Sequence, residues 1–289
     1  MPSVSQIKRR IRSVQNTSKI TKAMSMIAAS KMRRTQEAAL EGRPYSENMI
    51  ALMSDIISQM GDDDYSHPLL EVREEKVANL IILSPDRGLT GGLNSNINRA
   101  VAEFASLKKK NNIQVDTMAI GKKGRDFVSN LNFNLKAEII GISDKPSLLD
   151  ITPPVSIAID NFQNKKIDSI YIAYAKFINT TNQKPVVEPI LPIDSSVLNN
   201  NEALGYIFEP SPAEIFSKLL PRFVEMQVFH ALLESIASEQ SARMMAMRNA
   251  TDSANDLVKE LTLQANKARQ ATITGELLDI IGGSMTFEN

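Results

Sequence analysis

Residues 211–284 read SPAEIFSKLLPRFVEMQVFHALLESIASEQSARMMAMRNATDSANDLVKELTLQANKARQATITGELLDIIGGS. The stretch is rich in residues that favour the helix, and Ser211, Pro212 and Glu214 form a cap, a first-turn proline and a first-turn acid. At about 1.5 Å per residue, the predicted helix spans roughly 100 Å and cannot lie inside one small domain. Its seam advances in steps of four and three residues, the 3.5-residue period of a helix wrapped on another helix. The seam members are Leu232, Ile236, Glu239, Arg243, Ala246, Ala250, Ser253, Leu257, Leu261, Gln264, Ala268, Ala271, Gly275, Leu278 and Gly282.

A second seam with the same steps occupies the first forty residues. Both seams contain many small residues, which let two backbones approach closely but bury little apolar area. Their matching character predicts that the two ends of the chain pair with each other, antiparallel if a compact middle domain joins them. The interpretations are a weak structural coiled coil or a thin shaft held inside another structure. The N-terminal seam members are Ile7, Ile11, Val14, Ser18, Thr21, Ser25, Ala28, Met32, Thr35 and Ala39.

The middle of the chain alternates strand and helix patterns. Residues 77–83 (VANLIIL) form a short apolar run that predicts a buried strand, and residues 167–178 and 184–193 predict a hairpin. This alternation predicts a small α/β domain. We therefore expect an N-terminal coiled-coil helix at residues 1–60, a linker at 61–76, an α/β domain at 77–209 and a C-terminal coiled-coil helix at 210–289. Gly42 and Pro44 predict a weak point in the first helix, and Pro221 predicts a kink or a later start in the last.

The sequence shows no recognisable constellation of catalytic residues. The chain has no cysteine and only two histidines, so a thiol nucleophile and a zinc-finger site are excluded. The glycine-rich stretch at 88–92 follows a strand and precedes a helix, where amide groups can hold a phosphate. It lacks both the Gly-x-x-x-x-Gly-Lys-Ser/Thr and the Gly-x-Gly-x-x-Gly spacing. We favour a tight packing turn over a nucleotide site, and we expect no cofactor and no metal.

The first 36 residues contain many basic residues and no acid. A solvated face usually mixes charges, whereas a nucleic-acid surface would neutralise phosphates but lacks aromatic stacking partners here. An Arg-rich transit peptide is another interpretation, although the seam continues through it. The remaining interpretation is a basic helix face that contacts an acidic surface of another protein.

Four stretches together resemble the gamma-subunit family of F-type ATP synthases. They are residues 7–36 (IKRRIRSVQNTSKITKAMSMIAASKMRRTQ), 86–94 (DRGLTGGLN), 238–251 (SEQSARMMAMRNAT) and 266–283 (NKARQATITGELLDIIGG). The resemblance implies a long antiparallel coiled coil of the terminal helices plus a small, Rossmann-like α/β foot domain. It also implies a non-catalytic rotor shaft, one copy per complex, inside a hexamer of alpha and beta subunits. The epsilon subunit and the ring of c subunits are the further implied partners, without nucleic acid and without direct membrane insertion.

The resemblance also implies contact residues. Lys8, Arg9, Arg10, Arg33 and Arg34 match a basic face toward the acidic lever loop of beta. Met24, Arg243, Arg269, Gln270, Thr274 and Glu276 match positions tied to coupling or to a beta catch loop, and Tyr206 and Phe208 match residues facing the membrane ring. Thr90 stands where family members usually have cysteine. Without a recognisable transit peptide, we expect a bacterial chain at the cytoplasmic face of the plasma membrane.

Overall fold

The computed structural model describes residues 3–59, 67–193 and 208–287, and it confirms the predicted α/β fold with paired terminal helices. The chain divides into two compact units, which we call the terminal unit (Met1–Ile27 with Met244–Asn289) and the central unit (Ala28–Arg243). The helices are α1 (Val4–Gln59), α2 (Leu93–Lys110), α3 (Lys122–Asn130), α4 (Thr152–Gln163) and α5 (Pro212–Phe287). The strands are β1 (Val77–Leu83), β2 (Gln114–Ile120), β3 (Asn134–Ile139), β4 (Ser169–Phe177) and β5 (Gln183–Leu191).

The terminal unit is an antiparallel pair formed by the start of α1 and the end of α5. Ile7, near the start of α1, packs with Leu261 and Ala265, whereas Ser25 reaches Met244. Residue numbers therefore rise along one helix as they fall along the other. The apolar cluster is small, and its partly buried members are Ile11, Val14, Leu257 and Ala268.

Hydrogen bonds fix the register where apolar seam residues are missing. The hydroxyls of Thr21 and Thr251 lie 2.7 Å apart and are buried. Ser18 Oγ donates to Asn255 Oδ1 at 2.8 Å, and Ser25 Oγ donates to the carbonyl of Met244 at 3.1 Å. A polar pair in a helix seam specifies register, because a slip leaves its groups unpaired.

The predicted seam is right for α1 and partly wrong for α5. Every predicted member on α1 that lies in the terminal unit is at least partly buried. On α5, Ser253, Gln264 and Ala271 are exposed, whereas Thr251 and Ala265 are buried. Small residues occur on all faces of α5, so their spacing does not mark a single face.

The central unit contains a five-stranded sheet in the order β3-β2-β1-β4-β5. The first four strands in this order are parallel, and β5 pairs antiparallel with β4 as a hairpin. The predicted strand at residues 77–83 is confirmed at both ends, and the predicted hairpin is confirmed with slightly shorter strands. Each of its three parallel crossovers carries a helix: α2 follows β1, α3 follows β2 and α4 follows β3.

Two apolar cores lie on the two faces of this sheet. One core includes Met53 and Ile56 of α1, Phe162 of α4, and Phe216 and Leu220 of α5. The other packs α2 and α3 against the opposite sheet face. The later part of α1 and the earlier part of α5 are thus components of the α/β core.

The expected interruptions do not break the long helices. Helix α1 continues through Gly42 and Pro44, and α5 begins at Pro212 and includes Pro221, so a later start is wrong. A Cβ on Gly42 would lie 3.2 Å from His230 Cε1, so this glycine permits close approach of a neighbouring side chain. Burial of the flanking helix segments outweighs the local propensity of these residues.

Replacement of the buried hydroxyl pair tests its role in the terminal unit. We predict that Thr21→Val lowers the free energy of unfolding by about 1 kcal/mol, because Thr251 loses a buried partner. The double variant with Thr251→Val should lose less than the sum of the single variants. Urea unfolding of the isolated chain, followed by circular dichroism, measures the cycle. Strict additivity would contradict a direct interaction.

Candidate functional site

Among residues 3–59, 67–193 and 208–287, no group of three or more His, Cys, Asp or Glu side chains could hold a metal ion. Over the same part of the chain, no helix is both long enough and apolar enough to cross a bilayer. The candidate site therefore consists of surfaces and of one edge of the sheet.

The glycine-rich turn after β1 is closed by the chain's own groups. Asp86 accepts hydrogen bonds from the amides of Lys122 at 2.7 Å and Gly141 at 2.8 Å. The amide of Gly124 donates to Ser84 Oγ at 2.7 Å. A carboxylate of this turn thus binds the start of α3, whereas the helix that directly follows the glycine-rich stretch is α2, whose start at Gly92 has no side-chain cap among the described residues. The bonds from Asp86 and Ser84 support the interpretation as a packing turn between β1 and α3.

Close packing explains the glycine at the start of α3. Gly121 has φ of 106°, and a Cβ there would lie 1.8 Å from the carbonyl oxygen of Ser84. Any side chain would collide with backbone, so the turns after β1 and β2 must approach each other directly. These turns are rigid parts of the carboxyl edge of the sheet.

Arg243 lies against this edge. Its Nη2 is 2.7 Å from Glu239 Oε1 and 3.4 Å from the carbonyl oxygen of Gly88. The side chains of Arg243 and Glu239 are only 12% and 17% exposed. Burial raises the pKa of Glu239, and the nearby guanidinium of Arg243 opposes that shift. The structure thus gives Arg243 an internal partner, and its predicted contact with beta stays a prediction.

Two further contacts at the same edge escaped the sequence analysis. Ser241 is fully buried, and its Oγ donates to the carbonyl of Thr180 at 2.8 Å. Lys31 Nζ lies 2.6 Å from Asp144 Oδ2, in the segment after β3. The only sequence signal was a run of small and polar residues at 238–241, which a solvated helix face would also show.

The predicted basic residues are exposed, but they belong to both units. Lys8, Arg9 and Arg10 are exposed in the terminal unit, whereas Arg33 and Arg34 are exposed in the central unit. Arg33 Nε forms an exposed ion pair with Glu37 at 3.1 Å. Met24 is partly buried in the terminal unit. These positions are free to meet a partner, apart from the local pair of Arg33.

The predicted catch-loop residues lie near the end of α5. Arg269, Gln270, Thr274 and Glu276 are all exposed. They follow Ala268, the last residue of α5 in the terminal apolar cluster. Large apolar side chains accompany them with exposed fractions near one half or above: Ile273 48%, Leu277 54%, Leu278 64% and Ile280 68%. A single helix with this surface is suited to contact a partner that surrounds it.

The two predicted ring contacts differ in what the structure describes. Tyr206 lies outside the described residues. Phe208 is partly buried and packs against the larger core of the central unit. Its predicted contact with a membrane ring is not tested by this position and stays a prediction.

A partly buried polar cluster joins α5 to the hairpin. Tyr174 on β4 donates from its hydroxyl to Glu188 Oε2 at 2.9 Å, and Lys176 Nζ lies 3.1 Å from Glu188 Oε1. Burial raises the pKa of Glu234 on α5, which also faces Tyr174, and the neighbouring Glu188 adds to that shift. Lys176 opposes it, and His230 lies one turn away on α5.

This cluster predicts a pH-dependent stability. Because the pKa of Glu234 is raised on folding, the folded chain holds a proton that the unfolded chain has already released. Stability should therefore fall as pH rises from the ordinary carboxyl range through the raised pKa of Glu234. Glu234→Gln should flatten this decline in urea unfolding at several pH values. Glu214→Gln, at an exposed position, is the matched control, and an unchanged slope in Glu234→Gln would contradict the prediction.

Comparisons with known proteins agree along nearly the whole chain. A family model described as ATP synthase matches residues 3–286. The ATP synthase gamma chain of Dehalococcoides mccartyi is 49% identical over 284 residues, 98% of this chain and 99% of the relative. The ATP synthase gamma chain of Herpetosiphon aurantiacus is 45% identical over 291 residues, 98% of each chain.

Solved structures show the same architecture. A chain from the central stalk and c-ring structure of Tetrahymena thermophila mitochondrial ATP synthase has a TM-score of 0.58 at 27% identity. The match covers 80% of this chain and 99% of that chain. A chain of Euglena gracilis mitochondrial ATP synthase has a TM-score of 0.66, covering 98% of this chain and 94% of that chain. At 17% identity, the Euglena likeness supports the fold alone.

Proposed function

The chain belongs to the ATP synthase gamma-chain family, and on this premise we propose that it is the non-catalytic central shaft of the complex. Residues 1–60 and 210–289 supply the shaft, and residues 77–209 supply the foot. The shaft couples ion flow through a membrane ring to conformational cycling of catalytic sites that lie on another subunit. One copy per complex, at the cytoplasmic face of a bacterial plasma membrane, completes the proposal.

The single observation that carries this function is the slim antiparallel helix pair of the terminal unit. Its seam combines small residues, such as Thr21, Thr251 and Ala265, with a few larger apolar residues, such as Ile7 and Leu261. Because small seam residues let two helix axes approach closely, we infer that the pair is narrow. A narrow pair with an outer surface of exposed side chains is suited to turn inside a surrounding ring of subunits.

The proposed partners are the alpha and beta subunits around the shaft, with the epsilon subunit and the c ring at the foot. Exposure of Lys8, Arg9, Arg10, Arg33 and Arg34 supports a contact with an acidic loop of beta. Exposure of residues 269, 270, 274 and 276 supports a second contact with beta at the end of α5. Rotation favours contacts of moderate strength, because each ~1.4 kcal/mol of added barrier slows a step tenfold.

Assembly tests the proposal first. The purified chain is mixed with alpha and beta subunits of a bacterial relative, and the products are separated by size and weighed by native mass spectrometry. We expect one copy of this chain in each alpha–beta hexamer. Steeply salt-dependent binding to DNA without entry into the hexamer would favour the nucleic-acid alternative, which the comparisons do not support.

The basic face generates a second prediction. Replacement of Lys8, Arg9 and Arg10 by alanine should lower coupled ATP synthesis, because the face loses attraction for an acidic surface. The measurement is ATP synthesis by membrane vesicles driven by an imposed ion gradient. Neutralisation of Lys109 and Lys110, exposed at the end of α2, is the matched control. Equal synthesis in both variants would remove the basic face from the account.

Met24 generates a third prediction. Met24→Lys should impair coupling, because an added cation beside beta forms ion pairs that must break during rotation. The ratio of ATP-driven proton pumping to ATP hydrolysis measures the effect in vesicles. Met24→Leu, which keeps the side-chain volume, is the control. A normal ratio in Met24→Lys would contradict a contact at this position.

A further inference from the structure

The strand order of the central unit creates one place where an α/β domain ordinarily receives a ligand. Strands β2 and β3 follow β1 on one side, and β4 lies on the other side of β1. In open parallel sheets, ligands bind outside the carboxyl ends of the two strands at which the order reverses. Here those strands are β1 and β4, and the segments that follow them contain Gly88 and Thr180.

Helix α5 occupies this place. Ser241 Oγ donates to the carbonyl of Thr180 at 2.8 Å, and Arg243 Nη2 reaches the carbonyl of Gly88 at 3.4 Å. The two contacts come from α5 residues two positions apart and end on opposite sides of the crevice. Ser241 is fully buried, and Gln183 Nε2 lies 3.4 Å from its Oγ, so this contact is enclosed by the hairpin.

Helix α1 is attached to the same edge. Lys31 Nζ lies 2.6 Å from Asp144 Oδ2, in the segment that follows β3. The amides of Lys122 and Gly124 at the start of α3 are bound by Asp86 and Ser84. Helix α5 thus occupies the crevice between β1 and β4, and α1 is attached farther along the same edge, after the outer strand β3.

The polar character of these contacts matters for a rotating element. The close-packed core holds α1 and α5 on the sheet and resists their sliding. Hydrogen bonds weaken steeply when their angle or length changes, and so they add resistance to twisting. The three polar contacts therefore add directional constraints at the carboxyl edge to those of the core.

We propose that the carboxyl edge of this sheet is the seat through which α1 and α5 exchange torque with the α/β domain. Ser241, Arg243 and Lys31 are its positioning residues. The inference rests on the proposed shaft function. It assigns Arg243 an internal role that differs from its predicted contact with beta.

A crosslink tests the seat in the isolated chain. The sequence contains no cysteine, so Thr180→Cys with Ser241→Cys introduces the only thiol pair. Oxidation should form an intramolecular disulfide, detected by a shifted band on a non-reducing gel. The pair Thr180→Cys with Ser217→Cys, on an exposed part of α5, is the control and should remain reduced. Absence of the crosslink in the first pair would overturn the placement of α5, whatever the function of the chain.

The assembled enzyme then tests torque transfer. With the disulfide formed, ATP-driven proton pumping should continue, because α5 and the α/β domain turn together at this edge. Pumping that stops on oxidation and returns on reduction would show movement of α5 in the crevice and would overturn the proposal. If the enzyme with the unmodified chain does not pump at all, the shaft function fails while the crosslink still reports the seat.

Variants of the Lys31–Asp144 ion pair test whether loss of this contact weakens the coupling of ATP hydrolysis to proton pumping. Asp144→Asn should lower the ratio of protons pumped to ATP hydrolysed, with no loss of hydrolysis by the detached hexamer complex. The exchanged pair Lys31→Asp with Asp144→Lys should restore the ratio, which a general loss of stability would not explain. Lys218→Ala, which breaks an exposed ion pair with Glu214, is the control. A ratio unchanged in both Asp144→Asn and Ser241→Ala would overturn the role of these contacts.

Discussion

The packing of α1 against its antiparallel partner α5 is the constraint on which the structure depends. In the terminal unit the two helices have few large apolar contacts, and buried hydroxyls such as Thr21 and Thr251 fix their register. In the central unit the same two helices contribute large side chains to a core that also contains the sheet. The two helices therefore pack through a small apolar cluster with buried hydroxyls in the terminal unit and through a large apolar core in the central unit.

The difference in helix packing between the two units is consistent with the proposed shaft function. The small apolar cluster of the terminal unit contributes little stabilisation to its helix pair. The long helices continue through Gly42, Pro44 and Pro221, because burial on the sheet compensates for the weak helix propensity of these residues. At the carboxyl edge, Ser241 and Arg243 occupy the crevice where an α/β enzyme would hold its substrate. The domain has the strand order of a ligand-binding α/β fold, and its crevice contains contacts of α5 with the loops after β1 and β4.

Sequence reasoning recovered the elements because their patterns were strong. The apolar run at 77–83 predicted a strand, and the 3.5-residue seam at residues 7–25 predicted a helix packed on another helix. The face of α5 was harder, because Ser253 and Ala254 are similar in size, and only the packing partner decides which one is buried. The polar contacts Lys31–Asp144 and Ser241–Thr180 join residues far apart in the chain, and no local pattern marks them. Sequence therefore located the helices and missed what attaches them to the sheet.

Rotation is the most direct test of the central claim. A bead is attached to the α/β domain in a surface-fixed complex with alpha and beta subunits, and its angle is followed after ATP is added. If this chain is the shaft, the bead rotates stepwise in one direction about a single axis, at a rate that follows ATP hydrolysis. A chain that enters the complex, while its bead only fluctuates as the complex hydrolyses ATP, would contradict the claim that it is the shaft.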